Sequence, residues 1–367
     1  AHALPLTFYV YNKYGNVDEV KKRVVFTTHT PEEAGNEKHE VWLLEKMGFF
    51  NGIPVDRIRD MCSVQGDVFN HSLAALRMAR IANAVSHKHG EVSRSMWSQY
   101  EGVPPILSIT NAQSQKFWGD WDLYEALDHG DDAKMVRRKK HVKGRLIDLA
   151  ANQTGKIFDR DILTIVWARR YAGYKRPDLL LQDPERFHNL MTRKDKPVQI
   201  IWAGKPYPAD YHAISVFNSL VYKSKQYKNM QVLVGYEIAL SKLLKQGADV
   251  WMNTPRVPRE ASGTSGMSAA MNGAINFSTN DGWIPEFAKS GINSFILPEA
   301  DPSKSIAEQD AYDLRNLYDI LENHIIPMYY DDPPRWLQMV KQSMTDVVPY
   351  FDSKRMATSY YEQLYLS

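Results

Sequence analysis

Four short β-rich runs, Val24–Thr28, Ile162–Ala168, Val198–Ala203 and Val232–Val234, constrain this chain more than any other pattern in it. Each is followed by polar or glycine-bearing sequence and then by a longer amphipathic stretch. That order repeats the strand, loop and helix units of a parallel sheet covered by helices on both faces. The reading is an α/β protein with doubly wound layers. Ligands of such sheets bind beyond the carboxyl ends of the strands. The loops to inspect are therefore His29–Asn36, Arg169–Arg176, Gly204–Tyr211 and Gly235–Glu237.

At 367 residues the chain exceeds one ordinary core, and at roughly 150 residues per domain it implies two. The composition is 44% hydrophobic and 24% charged with a net charge of +2, which is globular and gives no reason to expect a nucleic acid partner. Cys62 is the sole cysteine, so an intrachain disulfide and a cysteine-cluster metal site are excluded, and a reducing, cytoplasmic setting is expected. Apolar runs such as Ile162–Ala168 fall well short of the roughly 18 residues of a membrane helix. No membrane partner is expected.

Residues 66–94 carry a helical pattern through Leu73, Leu76, Met78, Ile81 and Val85, leading to His87 and His89. That His-x-His pair lacks a third spaced ligand, so it is expected at a helix end or turn, and no metal site is predicted. Residues 113–160 are polar and helical, with breaks at Asp120–Asp122 and His129–Asp132. Their basic run, Arg137–Lys140, is expected to be a solvated helix face. A domain boundary is placed near Asn111–Trp118, and the tail from Asp310 is helical with an interruption at Asp331–Pro334.

The segment Glu260–Gly273 concentrates the chemistry. Its Ser-Gly-Thr-Ser-Gly centre combines small hydroxylated side chains with freely turning backbone, so several N–H groups can converge on an anion. Met267–Ala274 are good helix formers, which places the glycine turn at a helix start that favours phosphate. A second segment, Arg169–Arg176, puts Arg169, Arg170, Lys175 and Arg176 on the loop of a buried strand, with Tyr174 among them. Such cations can surround a phosphate with fork and point-charge donors. A third candidate is His29, at the end of the run Phe26–Thr28, where an imidazole can hydrogen-bond a sugar hydroxyl.

Glu260-Ala-Ser-Gly-Thr264, Arg170 to Arg176, His29, and further stretches at Ala1-His2-Ala3, Ser86–Val92, Ile109–Asn111 and Gly204–Pro206 resemble the α-glucan (glycogen, starch, maltodextrin) phosphorylases, in the right order. The resemblance implies the GT-B glycosyltransferase fold, two Rossmann-like domains facing a cleft. Here the first domain is incomplete, as in the C-terminal portion of a longer protein. It divides the chain into residues 1–112, the end of the N-terminal domain; 113–340, the C-terminal domain with its phosphate site; and 341–367, a terminal helix returning to the first. It implies that Arg170 and Lys175 hold the substrate phosphate and that His29 contacts the glucosyl unit. Asn111, Tyr174, Tyr236 and Glu260 would line the sugar site, and Arg169, Gly263 and Thr264 would hold the cofactor phosphate. The partners implied are an α-1,4-glucan and phosphate or a sugar phosphate, and the resemblance leaves room for a homodimer.

In the family a lysine after this turn anchors pyridoxal phosphate, and here its position holds Ser268. A hydroxyl cannot form an imine, so the covalent anchor is lost while the phosphate pocket remains. Three readings follow: a phosphorylase releasing glucose 1-phosphate with retention and holding its cofactor without a covalent bond, a nucleotide-sugar-dependent transferase of the glycogen synthase kind without pyridoxal phosphate, or a non-catalytic glucan-binding relative. A metal hydrolase lacks a spaced ligand set, and a dehydrogenase lacks Gly-x-Gly-x-x-Gly after a strand.

Overall fold

The computed structural model describes residues 3–32, 35–62, 64 and 66–366, so Ala1 and His2 of the resemblance lie outside the described residues. The chain divides into two compact units. One comprises the residues up to Asn111, Pro258–Ser262 and the chain from Met356 onward; the other comprises Ala112–Val257 and Gly263–Arg355.

The first unit is built on β1 (Val25–Thr27), β4 (Ile81–Ala84) and β5 (Ile106–Ser108), parallel in the order β1-β4-β5, with Phe26 opposite Ala82. A separate antiparallel pair joins β2 (Lys38–Glu40) to β3 (Val68–Asn70). The helical pattern expected over 66–94 is not one helix. Helices His71–Arg77 and His87–Trp97 flank β4, the central strand of the sheet. Ile81 and Val85 fit a helical period as well as a strand, and a short apolar run does not distinguish them. Hydrogen bonding on both edges settles it. At the end of β4 the buried Asn83 accepts from Thr27 Oγ1 at 2.8 Å and donates to Tyr360 Oη at 3.1 Å, while Arg80 Nη2 donates to the Leu364 carbonyl at 2.7 Å. These bonds seat the C-terminal residues on the first unit.

The second unit holds six parallel strands: β6 (Leu163–Ala168), β7 (Val198–Ala203), β8 (Met230–Leu233), β9 (Val250–Asn253), β10 (Ile275–Ser278) and β11 (Ser294–Ile296). Their order is β11-β10-β9-β6-β7-β8. Every residue of β6 and β7 is buried. Side chains alternate between two cores: Leu163, Ile165 and Trp167 enter one, Val166 and Ala168 the other. Burial on both faces is why these strands read as unbroken apolar runs. From β6 the chain runs outward through β7 and β8, then returns to β9 on the opposite side of β6, so the order reverses between β6 and β9.

The basic run on the helix Asp132–Thr154 does not form a simple solvated face. Arg137 and Lys140 are exposed. Arg138 pairs with the buried Asp120 at 2.8 Å, and the Lys139 ammonium is sunk among the carbonyls of Gln246, Ala248 and Asn272 at 2.9, 3.0 and 3.0 Å. Long cationic stems let a helix surface and an internal tie coexist. Among the described residues no helix is long and apolar enough to cross a membrane.

Gly204, after β7, has φ +137°, and a Cβ there would lie 1.9 Å from the Arg169 carbonyl oxygen. Gly204→Ala is therefore expected to lower unfolding free energy by at least about 2 kcal/mol, measured as a shift in the urea midpoint at constant slope.

Candidate active site

The strand order of the second unit's sheet reverses between β6 and β9, the place where such sheets bind ligands, and the loops after these two strands carry the cationic and glycine-rich segments. After β6, Arg169 N–H donates to the Ala203 carbonyl at 3.0 Å and continues the ladder, which keeps Arg169 buried at the strand end. Arg170 faces solvent. Tyr171 is buried and bridged to Pro206, and Gly173–Lys175 make a tight turn that ends at Arg176 with φ +47°.

Arg176 does not face a ligand. Its Nε donates to the Thr254 carbonyl at 2.8 Å and its Nη2 to the Pro255 carbonyl at 3.2 Å; Nη1 and Nη2 reach Asp310 at 2.8 Å and Asp313 at 2.6 Å. Arg256 adds two bonds to Asp310 at 2.8 and 2.6 Å. Burial works to raise the Asp310 carboxyl, but Arg256 and Arg176 outweigh it and hold it below the usual carboxylate range. For Asp313 burial wins, and its carboxyl is raised despite Arg176. Of the four cations expected around a phosphate, Arg176 is thus consumed in joining the two loops.

That join positions its neighbours. Thr254 Oγ1 donates to the Lys175 carbonyl at 3.2 Å, and Arg256 N–H donates to the Tyr174 carbonyl at 2.8 Å. The buried Lys175 places its ammonium 4.8 Å from the centre of the Tyr174 ring. From the loop after β8, Tyr236 Oη donates to the Ala168 carbonyl at 3.2 Å and accepts from Ser241 Oγ at 3.3 Å. Burial raises the Tyr236 phenol, and Arg169 is near enough to oppose the shift. Arg169, Tyr174, Lys175 and Tyr236 therefore gather around the carboxyl ends of β6, β8 and β9.

The glycine segment enters this edge from β9. Gly263 has φ +86° and caps the helix Thr264–Ala270, which begins three residues before the run of helix formers that starts at Met267. The two glycines have different duties. Gly263 supplies a left-handed turn, whereas Gly266 is needed for packing, since a Cβ there would meet Asn276 Oδ1 at 2.5 Å and Trp283 at 3.0 Å. Ser268 is fully buried, and its hydroxyl donates back to the Ser265 and Thr264 carbonyls at 3.2 and 3.4 Å. Asn272 Nδ2 binds the Ser268 carbonyl at 2.7 Å and the Trp118 carbonyl at 3.0 Å.

In the first unit His29 follows β1, its ring partly in solvent. Loss of hydration to its neighbours lowers its pKa, against a bond to the Thr27 backbone that favours the imidazolium. Asn111 N–H donates to the Val85 carbonyl at 3.0 Å, just beyond β4 and β5. Glu260 is half-buried, in a segment held by Ser86 Oγ donating to the Ala261 carbonyl at 2.7 Å and by Arg259 paired with Glu32 at 2.7 Å. His87 opens a helix rather than ending one, with Ser86 as its cap. His89 is buried, and its Nδ1 accepts from Val85 N–H at 3.2 Å. Among the described residues no three histidine, cysteine or carboxylate side chains gather as metal ligands would.

The carbohydrate phosphorylase family profile matches residues 109–296, half of the chain. The chain belongs to this family. It is 43% identical over 365 residues to an uncharacterized protein of Methanocaldococcus jannaschii, covering 99% of this chain and 68% of that one. It is 33% identical to the maltodextrin phosphorylase of Thermococcus litoralis, covering 94% of this chain and 47% of the relative, and 31% identical to the glycogen phosphorylase of Aquifex aeolicus, covering 95% and 58%. The chain thus spans about half the length of the named phosphorylases it matches.

The family's pyridoxal phosphate meets a mixed fit. The left-handed Gly263 turn and the buried cation Arg169 suit its phosphate. Its aldehyde has no amine at position 268, where a buried hydroxyl is turned onto its own helix.

The missed contributors were Arg256, Asp310 and Asp313. No local motif links them to Arg176, since Asp310 and Asp313 lie 134 and 137 residues beyond it. Replacing Arg176 by Met leaves two buried carboxyls facing one remaining guanidinium, and a loss of about 3–5 kcal/mol is expected by chemical denaturation.

Burial holds the His89 imidazole down to about 4. Between pH 6.5 and 4 the unfolded chain takes up a proton that the folded chain refuses, so stability falls as pH drops through that window, by up to about 3 kcal/mol, and levels off below it. In His89→Gln this limb of the urea midpoint against pH is expected to flatten.

Proposed function

We propose that this chain forms the phosphate-handling part of an α-glucan phosphorylase, transferring a terminal α-1,4-linked glucosyl unit to phosphate with retention and releasing glucose 1-phosphate. The observation that supports the reading is the tie between the loops after β6 and β9 at the strand-order reversal, where Thr254 and Arg256 bond the backbone of Lys175 and Tyr174. Buried Arg169 and Lys175 supply positive charge there, and the chain leaving β9 goes on to the left-handed Gly263 turn, whose backbone suits an anion. The names of the Thermococcus and Aquifex relatives support the substrate class.

In this reading residues 1–112 are the end of an N-terminal glycosyltransferase domain, 113–340 its C-terminal partner of the GT-B kind, and 341–367 the returning terminal segment. Arg170 and Lys175 bind the substrate phosphate. Their charges stabilise the anion that develops as the glycosidic bond breaks through an oxocarbenium-like state, and such a role demands groups fixed before reaction. The Arg176 network supplies that rigidity for Lys175. His29 stays largely neutral at physiological pH and can accept or donate a hydrogen bond to the glucosyl unit. Asn111, Tyr174, Tyr236 and Glu260 orient sugar hydroxyls. Arg169, Gly263 and Thr264 hold the cofactor phosphate. Pyridoxal phosphate, when bound, contributes its phosphate as the proton relay to the attacking phosphate, so its aldehyde is not consumed by the reaction.

The test is release of glucose 1-phosphate from maltodextrin in phosphate buffer with added pyridoxal phosphate, using the protein with any native flanking sequence. Lys175→Ala is expected to lower kcat/KM by about 100-fold or more, and His29→Ala by about 10- to 100-fold. A wild-type protein that releases no glucose 1-phosphate, yet gains thermal stability from a nucleotide sugar, would replace this reading with a synthase-like one.

A further inference from the structure

Among the described residues of the second unit, Lys139, Lys143 and Lys245, besides Lys175 in the loop after β6, hold their ammonium groups away from solvent, and the first two are fully employed. Lys139 binds three carbonyls, and Lys143 pairs with Asp249 at 2.6 Å. The third, Lys245 on the helix Ile238–Gly247, differs. It is 4% exposed, and its ammonium donates to Ser241 Oγ at 3.0 Å and sits 3.6 Å from the centre of the Trp118 ring. Among the described residues no carboxylate pairs with it. A hydroxyl and an aromatic face compensate a buried ammonium poorly, so the neutral amine is favoured. Burial accordingly lowers its pKa to about 7, and near neutrality about half of such a lysine is the nucleophilic free amine.

Its surroundings point to what that amine is for. Through Ser241 it joins Tyr236, whose hydroxyl binds the Ala168 carbonyl next to Arg169 at the phosphate end of the site. Through Trp118 it adjoins Asn272, which binds the Trp118 and Ser268 carbonyls together. Lys245 therefore stands between the phosphate-binding loop and the helix in which Ser268 replaces an amine.

We propose that Lys245 binds the aldehyde of pyridoxal phosphate in this chain, an anchoring lysine relocated from the helix Thr264–Ala270 to the neighbouring helix Ile238–Gly247. The unprotonated Nζ adds to the aldehyde carbon. The carbon–oxygen double bond is replaced by a carbon–nitrogen double bond, and the oxygen leaves as water. The ammonium's proton goes first to solvent, and no oxidant or reductant enters. The inference rests on the reading of Arg169, Gly263 and Thr264 as the cofactor-phosphate site, and it moves only the covalent link.

The full chain is incubated with pyridoxal phosphate, freed of excess by gel filtration, reduced with borohydride, digested and mapped by mass spectrometry. The pyridoxyl mass is expected on the peptide containing Lys245. In Lys245→Met, a substitution of similar length that suits a buried position, that label is expected to vanish. Retained cofactor phosphate is then expected to remain measurable by phosphorus NMR, with affinity reduced about tenfold or more. Circular dichroism and the thermal midpoint establish that the variant is folded. Label on Lys175, Lys139 or any other lysine overturns the proposal. Cofactor retained without any label overturns it too, while leaving the phosphate site standing. No retention of pyridoxal phosphate overturns both the proposal and the cofactor reading beneath it.

Discussion

The guanidinium of Arg176 donates to the carbonyls of Thr254 and Pro255 and to the carboxylates of Asp310 and Asp313, and the geometry of the loop after β6 depends on this bundle. It draws the loop after β6 against the loop after β9, where the strand order reverses. A planar fork with five donors suits the task because it satisfies two carbonyls and two carboxylates from one buried point. Arg256 then shares Asp310 and orders Tyr174 through its own backbone N–H. The neighbouring Lys175 is held at a strand end rather than on a mobile surface, and such preorganisation is what binding a developing charge requires.

The same edge shows how one segment can carry several physical duties. Gly263 bends the chain through a left-handed conformation, Gly266 removes a side chain that would collide with Asn276 and Trp283, and Ser268 satisfies its hydroxyl within its own helix. Lys245 has its amine already buried beside Trp118, whose carbonyl shares Asn272 with that of Ser268.

Much of this was legible along the chain. Strands β6 and β7 announced themselves because burial on both faces leaves no polar position to break the run. The order of the phosphorylase-like segments was legible too, since glycine turns and charged side chains are local features of the sequence. Strand β4 was not, because Ile81-Ala-Asn-Ala-Val85 satisfies a helical period until β1 and β5 claim its hydrogen bonds. Arg176 looked like a phosphate ligand because charge alone does not tell which side of the backbone a guanidinium takes. The basic run at Arg137–Lys140 similarly hid two internal ties behind the appearance of a surface.

By itself the amino-acid order determined a parallel α/β chain of the phosphorylase kind, with cations after one strand, a glycine turn after another, and a serine at 268 in the segment that follows the turn. These properties are local, because apolar runs, glycine freedom and side-chain chemistry act over a few residues. Tertiary structure alone decided which cations remain at the ligand edge, which are spent on carboxylates far away in the chain, and that Lys245 shares an aromatic face with Trp118 beside the helix of Ser268. Those outcomes depend on desolvation and on partners separated by scores of residues. Only the folded sheet, by bringing distant loops to one edge, sets them.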